Sequence, residues 1–162
     1  MTQEFYSPIG TESVSATTAT NSVEVGFRTI YKAEEYIYVY NAGSQQIIPG
    51  NGAMLTTGAS GYSVTVSSVV NTVNPMVGVC NHATIATGYY GFIMTKGFRN
   101  VVAASAMTGA FINLCLVADG KFNMQYPLTD AVHIGTFAVC GYAVSANTGA
   151  GGTVYAKIGR DF

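Results

Sequence analysis

The chain has 162 residues, of which 49% are hydrophobic and only 9% are Asp, Glu, Lys or Arg, for a net charge of −1. This length fits one domain, or one domain with an arm, and the apolar fraction excludes general disorder. With no basic excess to neutralise phosphates and no cationic run, neither nucleic acid nor a membrane is an expected partner.

An ordinary soluble domain carries about 25% charged residues, and a free monomer uses that coat to limit apolar patches and keep molecules apart. So lightly charged a chain suggests a protein that works in an assembly. The longest apolar stretches, such as 111–118, stop well short of the roughly 20 residues that a spanning helix needs.

Residues 1–22 are rich in Ser and Thr, include Pro8 and Gly10, and show little apolar periodicity, so they are expected to form an N-terminal arm. Phe5 and Tyr6 near its tip are candidate anchors against another subunit. The first residues lack the basic and apolar regions of a secretion signal, which points to synthesis and folding in the cytoplasm.

A period of two begins at Val23. Val23, Val25 and Phe27 alternate with Glu24 and Arg28, then Tyr36, Tyr38 and Tyr40 alternate with Ile37 and Val39, the pattern of strands with differently used faces. Residues 30–37 can also be written as two helical turns, but the flanking β-branched and aromatic residues favour strand.

Pro49-Gly50-Asn51-Gly52 signals a turn, and residues 56–61 a second loop. Alternation resumes at Tyr62, Val64 and Val66, breaks at Asn74-Pro75, and gives way to a short apolar strand over 76–80. Strand-length runs bounded by glycine follow at 88–97, 109–117, 137–144 and 154–158. No long apolar stripe of helical period appears, so the fold class expected is all-β: a compact antiparallel barrel or sandwich over 23–162 with the arm in front. Val77-Gly78-Val79-Cys80 and Phe137-Ala138-Val139-Cys140, sixty positions apart, each lead through a loop into another strand and suggest related strand-loop-strand elements.

Chemistry is sparse. Cys80, Cys115 and Cys140 form an odd, widely spaced set without a CxxC pair and read as buried free thiols. Cys115, His133 and Asp130 could in principle supply nucleophile, base and orienting group, but Cys115 sits in an apolar strand with nothing to favour its thiolate. Cys80-Asn81-His82 lacks the paired spacing of a zinc site. Glu34 and Glu35 are adjacent and face opposite sides of a strand, and Gly149-Ala150-Gly151-Gly152 precedes a strand without a helix start or GK[ST]. No enzyme activity, cofactor or metal is expected. The aromatic face of Tyr31, Tyr36, Tyr38 and Tyr40 could stack on sugars, but with Trp absent an interface is the preferred reading.

From Val77 onward the order Val-Gly-Val-Cys, Gly88-Tyr89-Tyr90-Gly91-Phe92-Ile93-Met94-Thr95-Lys96-Gly97, Gly109-Ala110-Phe111, Asp119-Gly120, Val139-Cys140-Gly141-Tyr142-Ala143 and Val154-Tyr155-Ala156-Lys157-Ile158 resembles the small β-barrel decoration, or cement, proteins of tailed bacteriophage heads. The likeness spans residues 77–158, with Phe92 where Trp is common and Cys140-Gly141-Tyr142 in place of Ile-Gly-Tyr. It implies a virion protein on the outer capsid surface, a homo-oligomer and often a trimer, that bridges major capsid proteins without catalysis. A head-fibre or tail protein binding host glycans is the alternative. Phe92, Met94, Phe111 and Leu114 are expected in the core. Phe5, Tyr6, Tyr36, Tyr38 and Tyr40 are the interface candidates.

Overall fold

A computed structural model describes residues 14–56, 61–66, 76–110, 113–124, 139–147, 149 and 151–159. The fold is all-β. Its strands are β1 (Thr17–Thr18), β2 (Arg28–Tyr31), β3 (Glu34–Asn41), β4 (Gly52–Leu55), β5 (Ser63–Thr65), β6 (Met76–Cys80), β7 (Tyr90–Val102), β8 (Asn113–Leu116), β9 (Phe122–Met124), β10 (Val139–Ala143) and β11 (Thr153–Ile158), with one 3-10 turn at Ala118–Gly120. The apolar run at 76–80 forms β6 as its composition predicts. The segment 30–37 is a hairpin: β2 and β3 pair from Arg28↔Ile37 to Tyr31↔Glu34 around Lys32 and Ala33.

β3, β5, β4, β6 and β7 pair in that order, and β7 returns to β3 to close a five-stranded barrel. The β3–β5 contact is parallel and the others antiparallel. Ile37 and Val39 point inward with Ile47, Val64, Cys80, Ile85 and Ile93. Alternation sends Tyr36 and Tyr38 to the outside of this barrel, into a second cluster.

β7 is longer than the run ending at Gly97 suggested. Its first part, Tyr90 to Lys96, pairs with β3, and Gly97 to Val102 pairs with β11. Gly97, at φ 148°, marks the change, where a Cβ would meet Met94 Sδ at 2.9 Å and Glu34 Cγ at 3.0 Å. From β7 a second ring runs through β11, β10, β8 and β9, and the parallel bridge Ala103↔Phe122 closes it. Its interior holds Val101, Met107, Leu114, Phe122, Val154, Ala156 and Ile158, all within the second cluster.

The two rings repeat one another, with β7 shared as last strand of the first and first strand of the second. The pair Tyr40↔Tyr90 is answered by Val102↔Thr153, and Cys80↔Ile93 by Ala143↔Ala156. The connecting loops repeat as well. Asn41 N donates to Tyr89 O and Gly88 N to Asn41 O, each at 2.9 Å, while Ala103 N donates to Gly152 O and Gly151 N to Ala103 O, also at 2.9 Å. Ala42 N to Val64 O is matched by Ala104 N to Phe122 O, and the bridge Ile47↔Ile85 by Met107↔Asn147. The sixty-residue echo therefore names the right strands, β6 and β10, but in a shifted register: the counterpart of Cys80 is Ala143, not Cys140.

Residues from Val14 to Phe27 pack against the outer face of the first barrel. Thr17 and Thr18 pair with Gly91 and Tyr90, Gly26 N donates to Tyr38 O at 2.8 Å, and Tyr38 N donates to Phe27 O at 2.8 Å. Val23 is buried, with Val14, Val25 and Phe27 packed beside it. The described end of the expected arm thus rests on its own barrel.

Candidate interaction surface

Tyr36 and Tyr38 are corrected from interface to core: both are 0% exposed within the single chain. β3 is covered on both faces, so the side of the alternation that looked available to a partner is already occupied. Tyr38 packs against Phe92 at 4.9 Å between ring centroids and its hydroxyl lies 3.1 Å from Ser22 Oγ. Tyr40 is half-buried against Tyr90 at 4.8 Å. Phe5 and Tyr6 lie outside the described residues, as do Phe111, Asp130 and His133. Phe92, Met94 and Leu114 are buried as expected.

Cys80 and Cys115 are buried, free thiols. Cys80 Sγ donates to Ala83 O at 3.1 Å, and burial pushes its pKa up to about 12. Burial raises Cys115 too. Both are held in the protonated form, the poor nucleophile. Nothing is described of the Cys140 side chain. Among the described residues no three His, Cys, Asp or Glu side chains gather as a metal site.

The residues Glu34, Tyr36, Asn81, His82 and Arg99 converge where β7 passes from one barrel to the other. Tyr36 Oη donates to Glu34 Oε2 at 2.6 Å and accepts from Asn81 Nδ2 at 2.6 Å, while Arg99 Nη2 bonds the same carboxylate oxygen. The His82 ring stacks on Tyr36 at 5.8 Å with Nε2 3.2 Å from the phenol oxygen. Burial, then the Glu34 carboxylate, pushes the Tyr36 pKa up to about 12; burial, then the Arg99 cation, lowers that of His82. A neutral phenol donor, an ion pair and a neutral imidazole leave no activated nucleophile. The cluster ties β3, β7 and the loop after β6 together.

The unusual surface lies on the outside of the second barrel. Along β11, Val154, Ala156 and Ile158 fill the interior, which sends Tyr155 and Lys157 outward. Lys157 stands between Tyr142 of β10 and Phe98 of β7 in direct register, and Tyr155 lies opposite Asn100. Phe98 and Tyr155 stack at 5.9 Å, and Lys157 Nζ lies 6.0 Å from the Phe98 ring centroid and 5.9 Å from that of Tyr142. Yet Phe98 is 42% and Tyr155 44% exposed. Large aromatics grouped on the open face of a sheet, bracketed by a cation, are the composition of a contact surface. Sequence reasoning missed it by weighing the tyrosines of β2 and β3 and not Tyr155 of β11. The signal available was the alternation in 154–158, which opposes Tyr155 and Lys157 to three small or aliphatic residues. The other large apolar side chains exposed among the described residues are Ile30 and Tyr31 at the β2–β3 hairpin, 61% and 38%, with Ile48 and Tyr89.

Among the described residues these features define a strand-sharing double barrel that leaves the Phe98–Tyr155 aromatic pair exposed. No protein-family model matches the sequence, and comparison with curated proteins finds no match. Among solved structures the chain is similar to the N base of the head fibre protein gp8.5 of bacteriophage phi29, with a TM-score of 0.52 and 16% identity over 78% of this chain and 96% of that one. At that identity the likeness is one of fold.

Proposed function

We propose that this chain is a structural protein of a bacteriophage head, a β-barrel module that seats on the outer surface of the capsid. The observation that carries the reading is the fold shared with a head-fibre base over nearly all of that chain. The low charge supports it, since a chain with only 9% Asp, Glu, Lys and Arg suits permanent contact better than free diffusion. The finer reading is a decoration role, in which a homo-oligomer, often a trimer in proteins of the kind the sequence resembles, bridges neighbouring major capsid proteins. Many modest contacts repeated over a lattice would then sum to large stability.

The test is co-sedimentation of the purified chain with emptied heads of the phage whose genome encodes it. Saturable binding that protects the heads against heat is expected, and heads that leave the protein in the supernatant would overturn the reading. A glycan-binding fibre protein is the second reading, favoured by the stacked, exposed Phe98 and Tyr155. Binding on a glycan array, without affinity for heads, would select it.

A further inference from the structure

The internal repeat supplies a comparison between two copies of the same face. On the first barrel the outer residues are Tyr36, paired with Met94, Tyr38, paired with Phe92, and Val79, paired with Met94. On the second, the residues in the same places are Phe98 with Lys157, Asn100 with Tyr155, and Tyr142 with Lys157. The first set is buried, with Phe92 the most exposed member at 5%. In the second set the aromatic pair Phe98 and Tyr155 stands open.

What separates them is a cover. The first face lies under segment 14–27, a run of turns around the short strand β1, which packs Val14, Val23, Val25 and Phe27 into that cluster and bonds its backbone to Tyr38. Among the described residues no such segment lies on the second face, whose leading strand is β7, already used by the first barrel. Among the described residues, then, the second barrel presents a face built like the one that an apolar-bearing segment covers on the first, and leaves its aromatic pair exposed.

We infer that the aromatic face of the second barrel is the docking surface for the N-terminal segment, residues 1–13, of a second copy of this chain. That segment offers the matching side chains, with Phe5, Tyr6 and Ile9 among small polar residues. Its two charged side chains, Glu4 and Glu12, are both acidic, and the face carries Lys157. A segment of this length reaches about 40 Å when extended, enough to cross to a neighbouring subunit. The copy's own face is a poorer target. β1 meets β7 only at Gly91 and Tyr90, and β6 takes up the pairing at Ile93 and Met94, so the chain is not led along β7 to its own second barrel. The association is heterologous, arm into face, and closes into a ring if the rotation permits. It stands on the repeat and does not depend on the phage-head reading.

Two full-length variants test it. One removes the face (Phe98→Ser with Tyr155→Ser), the other the arm (Phe5→Ser with Tyr6→Ser and Ile9→Ser), and light scattering reads the mass. The wild type is expected as a multimer, and each variant alone as the 17.0 kDa chain. An equimolar mixture of the two should form a one-to-one pair, because one partner supplies an intact arm and the other an intact face. A peptide of residues 1–13 should bind the arm variant, with at least tenfold weaker binding to the face variant, both variants being compared once their thermal melts match the wild type, so that lost binding is not lost folding. A monomeric wild type, a variant that still assembles, a mixture that does not pair, or a peptide indifferent to the face would each overturn the inference.

Discussion

Raising the pH should unfold this protein through two buried acids that it cannot ionise in place. Cys80 is 1% exposed, and its thiol is held near pKa 12 against 9.0 when free. Tyr36 is 0% exposed and also sits near 12, against 10.0. A folded-state pKa above the unfolded value means that the native state keeps its proton while the unfolded chain loses it. Stability is therefore complete below about pH 9 and falls as the pH rises from there toward 12. Each unit between the two pKa values costs about 1.4 kcal/mol per group. By pH 11 the thiol accounts for about 3 kcal/mol and the phenol for about 1 kcal/mol, a large part of the 5–15 kcal/mol typical of a domain. Cys115, raised in the same direction, adds to the loss. Urea titrations under reducing conditions from pH 8 to 11 measure it. Between pH 9 and 10, where the Cys80 thiol titrates ahead of the phenol, Cys80→Ala should flatten the decline by about 1 kcal/mol per unit; Tyr36→Phe should act chiefly above pH 10. Parallel curves for the wild type and Cys80→Ala would refute the argument that desolvation of this thiol sets the alkaline limit.

Three further substitutions probe the fold. Lys32 and Ala33 turn the β2–β3 hairpin with φ of 49° and 64°, and both are exposed, so Ala33→Gly should relieve strain without losing packing. After the entropy cost of glycine a gain of about 0.5–1 kcal/mol remains, seen as a rise of about 1–3 °C in Tm; a fall would contradict it. Asn41 is fully buried, donates through Nδ2 to Gln45 O and Ile85 O at 2.9 Å each, and accepts from Gly43 N at 3.0 Å. Asn41→Ala should cost about 2–3 kcal/mol in denaturant titration, and a cost under half of that would mean water replaces the amide. At Gly78 an added methyl would run into the backbone carbonyl of Met94, which β7 cannot easily move. Gly78→Ala should destabilise by about 1–3 kcal/mol, and a neutral result in thermal melts would show that β6 slides.

Much of the secondary structure was written in local pattern. Period-two alternation and glycine punctuation give β3, β6, β10 and β11 nearly residue for residue, because side-chain direction along a strand is a local property. β9 escaped notice because three residues cannot establish a period. β7 was cut short at Gly97, since a glycine reads as a boundary until one sees that its neighbour Glu34 leaves no room for a side chain there.

What the sequence by itself determined was the all-β class and the two opposed side-chain sets of strands such as β3 and β11. Which set meets solvent was a tertiary decision. Tyr36 and Phe98 occupy equivalent places in the repeat, yet residues 14–27 cover the first and leave the second open. Alternation divides a strand into two faces but carries no information about how many layers lie over each. The repeat itself was hidden for a related reason: backbone hydrogen bonds preserve it, and those bonds do not require Met94 and Lys157, or Cys80 and Ala143, to share a side chain.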